Sequence, residues 1–124
     1  MKSKIEVYAL AVCFFCVISL LFTLSFSGYA IIRITTPEIT LPSYEYQRLQ
    51  SNAAYWNRYS SADNAVAMPA EEELTQQRLE AYDIAVSSEA RDGKQDLFQQ
   101  AIFALVGSIL LLIHWRIFRQ LSAR

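Results

Sequence analysis

The stretch VYALAVCFFCVISLLFTLSFSGYAII, residues 7–32, carries no charged side chain over 26 positions. Wound as an α-helix at about 1.5 Å per residue, a run of that length extends roughly 39 Å. A hydrocarbon core about 30 Å thick is crossed by about 20 residues, so this run crosses it with a turn or more to spare. A second apolar run begins at Leu97 and reaches His114, and Trp115 and Phe118 follow it, rings of the kind favoured at the membrane–water interface. The fold class expected is an all-α membrane protein. Two transmembrane helices, 7–32 and 97–115, form a hairpin around an extracytoplasmic helical segment, 33–96, with short ends at 1–6 and 116–124.

Charge sets the orientation. The 124 residues are 53% hydrophobic with a formal net charge of −1, a composition too apolar for a disordered chain and without the basic excess of a nucleic-acid binder. That near-neutral total is unevenly distributed. Lys2, Lys4, Arg116, Arg119 and Arg124 lie at the ends against Glu6 alone, whereas residues 33–96 hold six basic and eleven acidic side chains. Basic residues close to a span stay on the cytoplasmic side. Both termini are therefore expected in the cytoplasm, as in a bacterial inner (plasma) membrane protein. A signal-peptide apolar region runs about 7–15 residues, and this one is already longer when it reaches Gly28-Tyr29-Ala30. An uncleaved anchor is expected.

The segment between the runs reads as two helices. Pro37 and Pro42 end any helix leaving the first run, and Ser43 is a candidate N-cap for a helix over 43–60. On a helical wheel Tyr46, Leu49, Ala53 and Trp56 share one face, while Tyr44, Tyr55 and Tyr59 fall on another with Arg48 and Asn52. Such a helix either rests on the outer leaflet with its rings at headgroup depth or docks a second protein. Residues 60–68 read as a linker. Pro69 suits a first helical position, and Glu71, Glu72 and Glu73 suit the first turn of a helix over 69–90. Three consecutive carboxylates point about 100° apart and cannot converge on one cation. Leu79, Tyr82 and Val86 make one apolar stripe; Ala70, Leu74, Ala81 and Ala85 make a second. Arg78 and Glu89 separate them, which implies contacts on two sides. Asp92-Gly93 is expected to kink or break the helix before the second run.

Chemistry-bearing motifs are few. Cys13 and Cys16 have metal or redox spacing, yet they lie inside the apolar run with no second ligand pair, so they read as small packing residues. Ala9, Cys16, Ser19, Thr23 and Ser27 give the first run a small-residue face, and Ala101, Ala104 and Ser108, with Gly107 adjacent, do so on the second. Small residues let membrane helices approach closely, and hydroxyls can bond across the contact. His114, Trp115 and Arg116 read as interface anchors; one histidine supplies one ligand at most. No nucleophile–base pair or phosphate loop is evident, so neither an enzyme nor a cofactor or metal site is expected.

The function expected is a non-enzymatic accessory or assembly subunit of an integral membrane complex. Its partner contacts would come from Tyr44, Tyr46, Tyr55, Trp56 and Tyr59 in the outer segment and from Ser19, Thr23, Ala104 and Ser108 in the spans. A homo-oligomeric pore of the holin sort and an extracytoplasmic sensor are the alternatives. The partners implied are other membrane subunits or further copies of the chain, together with the lipid bilayer, and not nucleic acid.

Overall fold

A computed structural model describes residues 4–60 and 67–123, and every element in it is helical: α1 (Lys4–Thr35), α2 (Pro37–Thr40), α3 (Ser43–Arg48), α4 (Asn52–Ser60) and α5 (Glu71–Ser122). Most of the 60–68 linker expectation falls outside the described residues. Two helices, α1 and α5, are long and apolar enough to cross a membrane. The chain divides into two compact units, one of residues 1–31 with 94–124, the other of residues 32–93.

α1 overruns the charge-free stretch by about a turn at each end, because nothing in the sequence stops it before Pro37. At Thr36 the backbone leaves the helix (φ −139°, ψ 61°), the conformational restriction that a following proline imposes. The Thr36 N–H still reaches the Ile32 carbonyl at 2.8 Å.

In the first unit α1 and the C-terminal part of α5 pack in opposite directions. The Tyr8 ring meets His114 edge-on at 5.9 Å, while Leu20, further along α1, lies against Gly107, earlier on α5. The seam has a regular spacing. Besides the half-buried Glu6, Val12 and Ile18 on α1 and Asp96 and Leu97 on α5, the buried and half-buried positions of this unit are Ala9, Cys13, Cys16, Leu20, Thr23, Ser27 and Ala30 on α1 and Gln100, Ala104, Gly107, Leu111, His114, Phe118 and Leu121 on α5. Intervals of four and three residues alternate along both, the repeat that keeps two helices in register over many turns. Cys13 and Cys16 are both free and buried in this seam. The small-residue faces expected from the sequence are only half used: Thr23 is 8% exposed and Ala104 half-buried, but Ser19, Ala101 and Ser108 are exposed.

Two hydroxyls of the small-residue face bond within their own helix. Thr23 Oγ1 donates to the Ser19 carbonyl at 2.9 Å, and Ser27 Oγ donates to the Thr23 carbonyl at 2.8 Å. Both bonds stay within α1, four residues back, so these side chains satisfy themselves without a partner helix.

Gly107 tests the seam directly. A Cβ there would stand 3.2 Å from Leu20 Cδ2 and 3.5 Å from Cγ, whereas one at Gly28 meets nothing within 4 Å. Gly28→Ala should therefore be neutral or stabilising by up to about 1 kcal/mol, the helix-propensity gain. Gly107→Ala should gain less, because Leu20 must shift, and Gly107→Ile should lose about 1–3 kcal/mol from overpacking. Unfolding of the three variants in mixed micelles checks the order.

The second unit is built on Leu49, Tyr55 and Leu74, which are 1%, 7% and 0% exposed, with Trp56, Ala81, Tyr82 and Ala85 packed around them. Its helices differ from the sequence expectation in four ways. The helix expected over 43–60 is two helices, broken at residues 49–51, because Ser51 caps α4: its hydroxyl accepts the Ala54 N–H at 3.2 Å. Pro42, not Ser43, stands at the N-cap of α3, with no side-chain cap. α5 starts at Glu71, where the Leu74 N–H bonds the Ala70 carbonyl at 2.9 Å, so Pro69 lies outside the helix. Finally, α5 continues through Asp92-Gly93 without a break. Gly93 is buried within it at an ordinary helical φ, so no turn calls for glycine there.

Candidate functional site

The most elaborate side-chain arrangement among the described residues belongs to the second unit, and it is polar. Arg33, at the last turn of α1, donates from Nε to Glu89 Oε1 at 2.8 Å and from Nη2 to Glu89 Oε2 at 3.1 Å. This is a bidentate pair on side chains only 16% and 13% exposed, with Asp92 3.6 Å from the same guanidinium. Charge-assisted forked pairs of this kind are directional as well as strong. The Arg33 guanidinium holds the Glu89 carboxyl below its usual range; burial opposes this, and a hydrogen bond from Thr40 on α2 adds to the lowering. Glu89 thus ties the end of α1 and the short α2 to α5.

A second cluster surrounds Asn52. Its amide nitrogen donates to Thr75 Oγ1 at 2.8 Å and to Glu71 Oε1 at 3.0 Å, and its amide oxygen accepts from Arg78 Nε at 2.9 Å. Arg78 Nη1 also donates to the Leu49 carbonyl at 2.7 Å. That carbonyl ends α3, where helix geometry leaves acceptors without partners, and a cation is favoured there. Arg78 therefore caps the corner that Ser51 creates. Beside it, Arg48 pairs with Glu45 at 3.6 Å and stands over the Tyr55 ring at 6.0 Å.

Arg78 and Glu89 consequently do not separate two apolar stripes. Leu74, Arg78, Ala81, Ala85 and Glu89 follow at intervals of four, three, four and four residues, and all are buried or half-buried. They form one inward face of α5, whose polar members are satisfied by bonds to α1, α3 and α4. Leu79, expected on an apolar stripe, is 51% exposed. Tyr82 belongs to the inward face; burial, and the hydrogen bond that the Glu38 carboxylate accepts from its hydroxyl, raise its phenol above the ordinary range.

The sequence-named residues separate accordingly. Tyr55 is buried in the core and Trp56 packs against it, whereas Tyr44 is 72% and Tyr46 40% exposed; the Tyr59 side chain lies outside the described residues. His114 stands in the seam of the first unit with Nδ1 2.9 Å from the Leu110 carbonyl, which requires the ring to carry its proton on Nδ1. Trp115 and Arg116 are exposed beside it, with the Trp115 and Phe118 rings 5.9 Å apart. Against the seam lies a shallow cavity of about 320 Å³, bounded by Val12, Phe15, Cys16, Ser19, Phe103 and Gly107 among others. Among the described residues no group of three or more histidine, cysteine, aspartate or glutamate side chains is placed to hold a metal ion. The Asn52–Arg78 and Arg33–Glu89 clusters were not foreseen from the sequence, since their partners lie 26 and 56 residues apart.

No protein-family model matches the chain, and no curated protein or solved structure matches it either.

Proposed function

We propose that the chain is a non-enzymatic accessory subunit of an integral membrane complex. It would be anchored by α1 and the apolar part of α5 as a hairpin, with both termini cytoplasmic and residues 33–96 outside. The observation that carries this reading is the exposure of Leu79 (51%) and Ile84 (61%) on the 32–93 unit. Both lie in the acidic stretch of α5, well before its apolar run, so lipid does not account for them. Apolar side chains left exposed on a unit away from the apolar runs are surface that a partner subunit would bury. In the spans, Ser19 and Ser108 remain exposed after the α1–α5 seam has formed, and small residues of that kind admit a further helix.

Gentle-detergent purification from native membranes followed by mass spectrometry tests the proposal. One integral membrane protein is expected to co-purify reproducibly, with recovery falling roughly tenfold or more in Leu79→Ser/Ile84→Ser, as for loss of interface anchors. Ser19→Leu and Ser108→Leu should weaken recovery as well. A monodisperse chain with no co-purifying membrane protein sinks the proposal, and ion conductance by the pure chain in planar bilayers would replace it with a pore.

A further inference from the structure

Ile39 and Tyr44 stand out for their exposure, 75% and 72%, in a segment that turns Leu41 and Leu49 inward, at 8% and 1%, and leaves Tyr46 at 40%. The segment is held firmly. Thr40 shares its one hydroxyl hydrogen between the Pro37 carbonyl, at 3.1 Å, and the Glu89 carboxylate, while the Glu38 carboxylate accepts a hydrogen bond from the Tyr82 hydroxyl. The backbone of α2 closes from the Leu41 N–H to the Pro37 carbonyl at 3.1 Å. Ile39 and Tyr44 are thus displayed outward by a segment fixed on its inner side.

Chain continuity keeps them within reach of the bilayer. Thr35 ends the helix whose apolar run crosses the bilayer, and Ile31 and Ile32 just before it are 49% and 44% exposed. Ile39 follows Thr35 by four residues, which even fully extended reach no more than about 14 Å, and α2 is helical and shorter still. The headgroup zone of each leaflet is about 5–8 Å deep. Charge gives no alternative attraction. Between residues 36 and 47 the only charged side chains are Glu38 and Glu45, and the flanking Arg33 and Arg48 are engaged with Glu89 and Glu45.

We infer that Ile39 and Tyr44 form a lipid-seated edge, inserted into the leaflet at which α1 ends and holding the 32–93 unit to the bilayer surface by apolar insertion rather than by charge. The isoleucine enters the upper acyl chains; the tyrosine, apolar in its ring and polar at its hydroxyl, lies at headgroup depth. The inference rests on α1 being a membrane span.

Single tryptophans placed in a Trp56→Phe/Trp115→Phe background, in phosphatidylcholine nanodiscs brominated high on the acyl chains for positions 39, 44 and 79 and near the chain ends for position 21, test it. Leu21→Trp reports the span, Ile39→Trp and Tyr44→Trp the edge, and Leu79→Trp a position on α5 away from the apolar run. Bromolipid should quench positions 21, 39 and 44 roughly twofold or more and leave 79 unaffected. Quenching at 39 and 44 should persist at high salt, which screens charge-driven docking, and should not rise when phosphatidylglycerol is added. Should Trp56→Phe weaken the fold, nitroxides on Ile39→Cys and Tyr44→Cys in a Cys13→Ala/Cys16→Ala background give the same answer through oxygen against nickel accessibility. Positions 39 and 44 open to aqueous acrylamide, or closed to both quenchers as a protein cover would make them, overturn the inference while position 21 still upholds the span. Failure of bromolipid to reach position 21 overturns the span and the inference together.

Discussion

Glu89→Ala is expected to destabilise the 32–93 unit by about 3 kcal/mol, the lower end of what removing one partner of a buried ion pair costs. The lower end applies because the pair is buried but not sealed, its side chains being 16% and 13% exposed. Most of the loss comes from leaving the Arg33 guanidinium without its two forked acceptors. Arg33→Met/Glu89→Leu, which removes both charges and keeps the volume, should recover much of it, since apolar replacement of a whole buried pair is often neutral. A double-mutant cycle in micelles, followed by Trp56 fluorescence in a Trp115→Phe background, measures the coupling. A pairwise term near zero would show that the contact is incidental.

The same pair predicts a pH profile. Glu89 titrates below its ordinary 4.5 in the folded chain, chiefly through its bonds from Arg33. A carboxylate with a lowered folded-state pKa contributes stability that is complete above its unfolded value and is lost as pH falls through the folded one. Stability should therefore be flat in this respect down to about pH 4.5 and then decline. Glu89→Gln should start lower and lack that portion of the decline.

Leu74→Ala carries the second large expectation, a loss of about 3 kcal/mol within the range of about 2–5 for emptying a buried leucine site. Leu74 is 0% exposed and packs with Leu49 and Tyr55 at the centre of its unit, where the short α3 and α4 have little freedom to collapse into the space. Leu79→Ala, the same chemical change five residues on, should stay within about 0.5 kcal/mol, as surface changes do. Urea unfolding of the two variants side by side decides which leucine faces the core, and equal losses would contradict the inward face described for α5.

The contrast between those leucines shows where the sequence was readable. The apolar runs were legible because 26 charge-free residues admit few other readings, and Pro37 marked the end of α1 through a purely local restriction. The 43–60 region was not, because Tyr46, Leu49, Ala53 and Trp56 keep helical spacing straight across the break at 49–51. Ser51 was the signal available there: a hydroxyl three residues before Ala54 is cap chemistry, but periodicity outvoted it. Gly93 misled in the opposite sense, since a glycine reads as a break whether or not the helix takes it. By sequence pattern alone Arg78 and Glu89 divide two apolar stripes. Their acceptors and donors come from residues 49, 52 and 33, and no local pattern announces a partner so distant. Of the candidate contact residues, Tyr44 and Tyr55 looked alike on a wheel and part company only when the corner forms.

The Arg33–Glu89 fork also imposes an order on the making of the molecule. Ribosomes release chain from the N-terminus, at about 5–20 residues per second, and 56 residues separate the two partners. For several seconds Arg33 exists without its carboxylate, and Leu49 without the guanidinium that finishes its helix. Closing so long a loop carries an entropy cost that later contacts must offset. The segment between Pro37 and Ser60 is therefore synthesised as a client awaiting its other half. During that interval Tyr55 and Trp56 are open to holding chaperones and proteases, and only the arrival of α5 withdraws them.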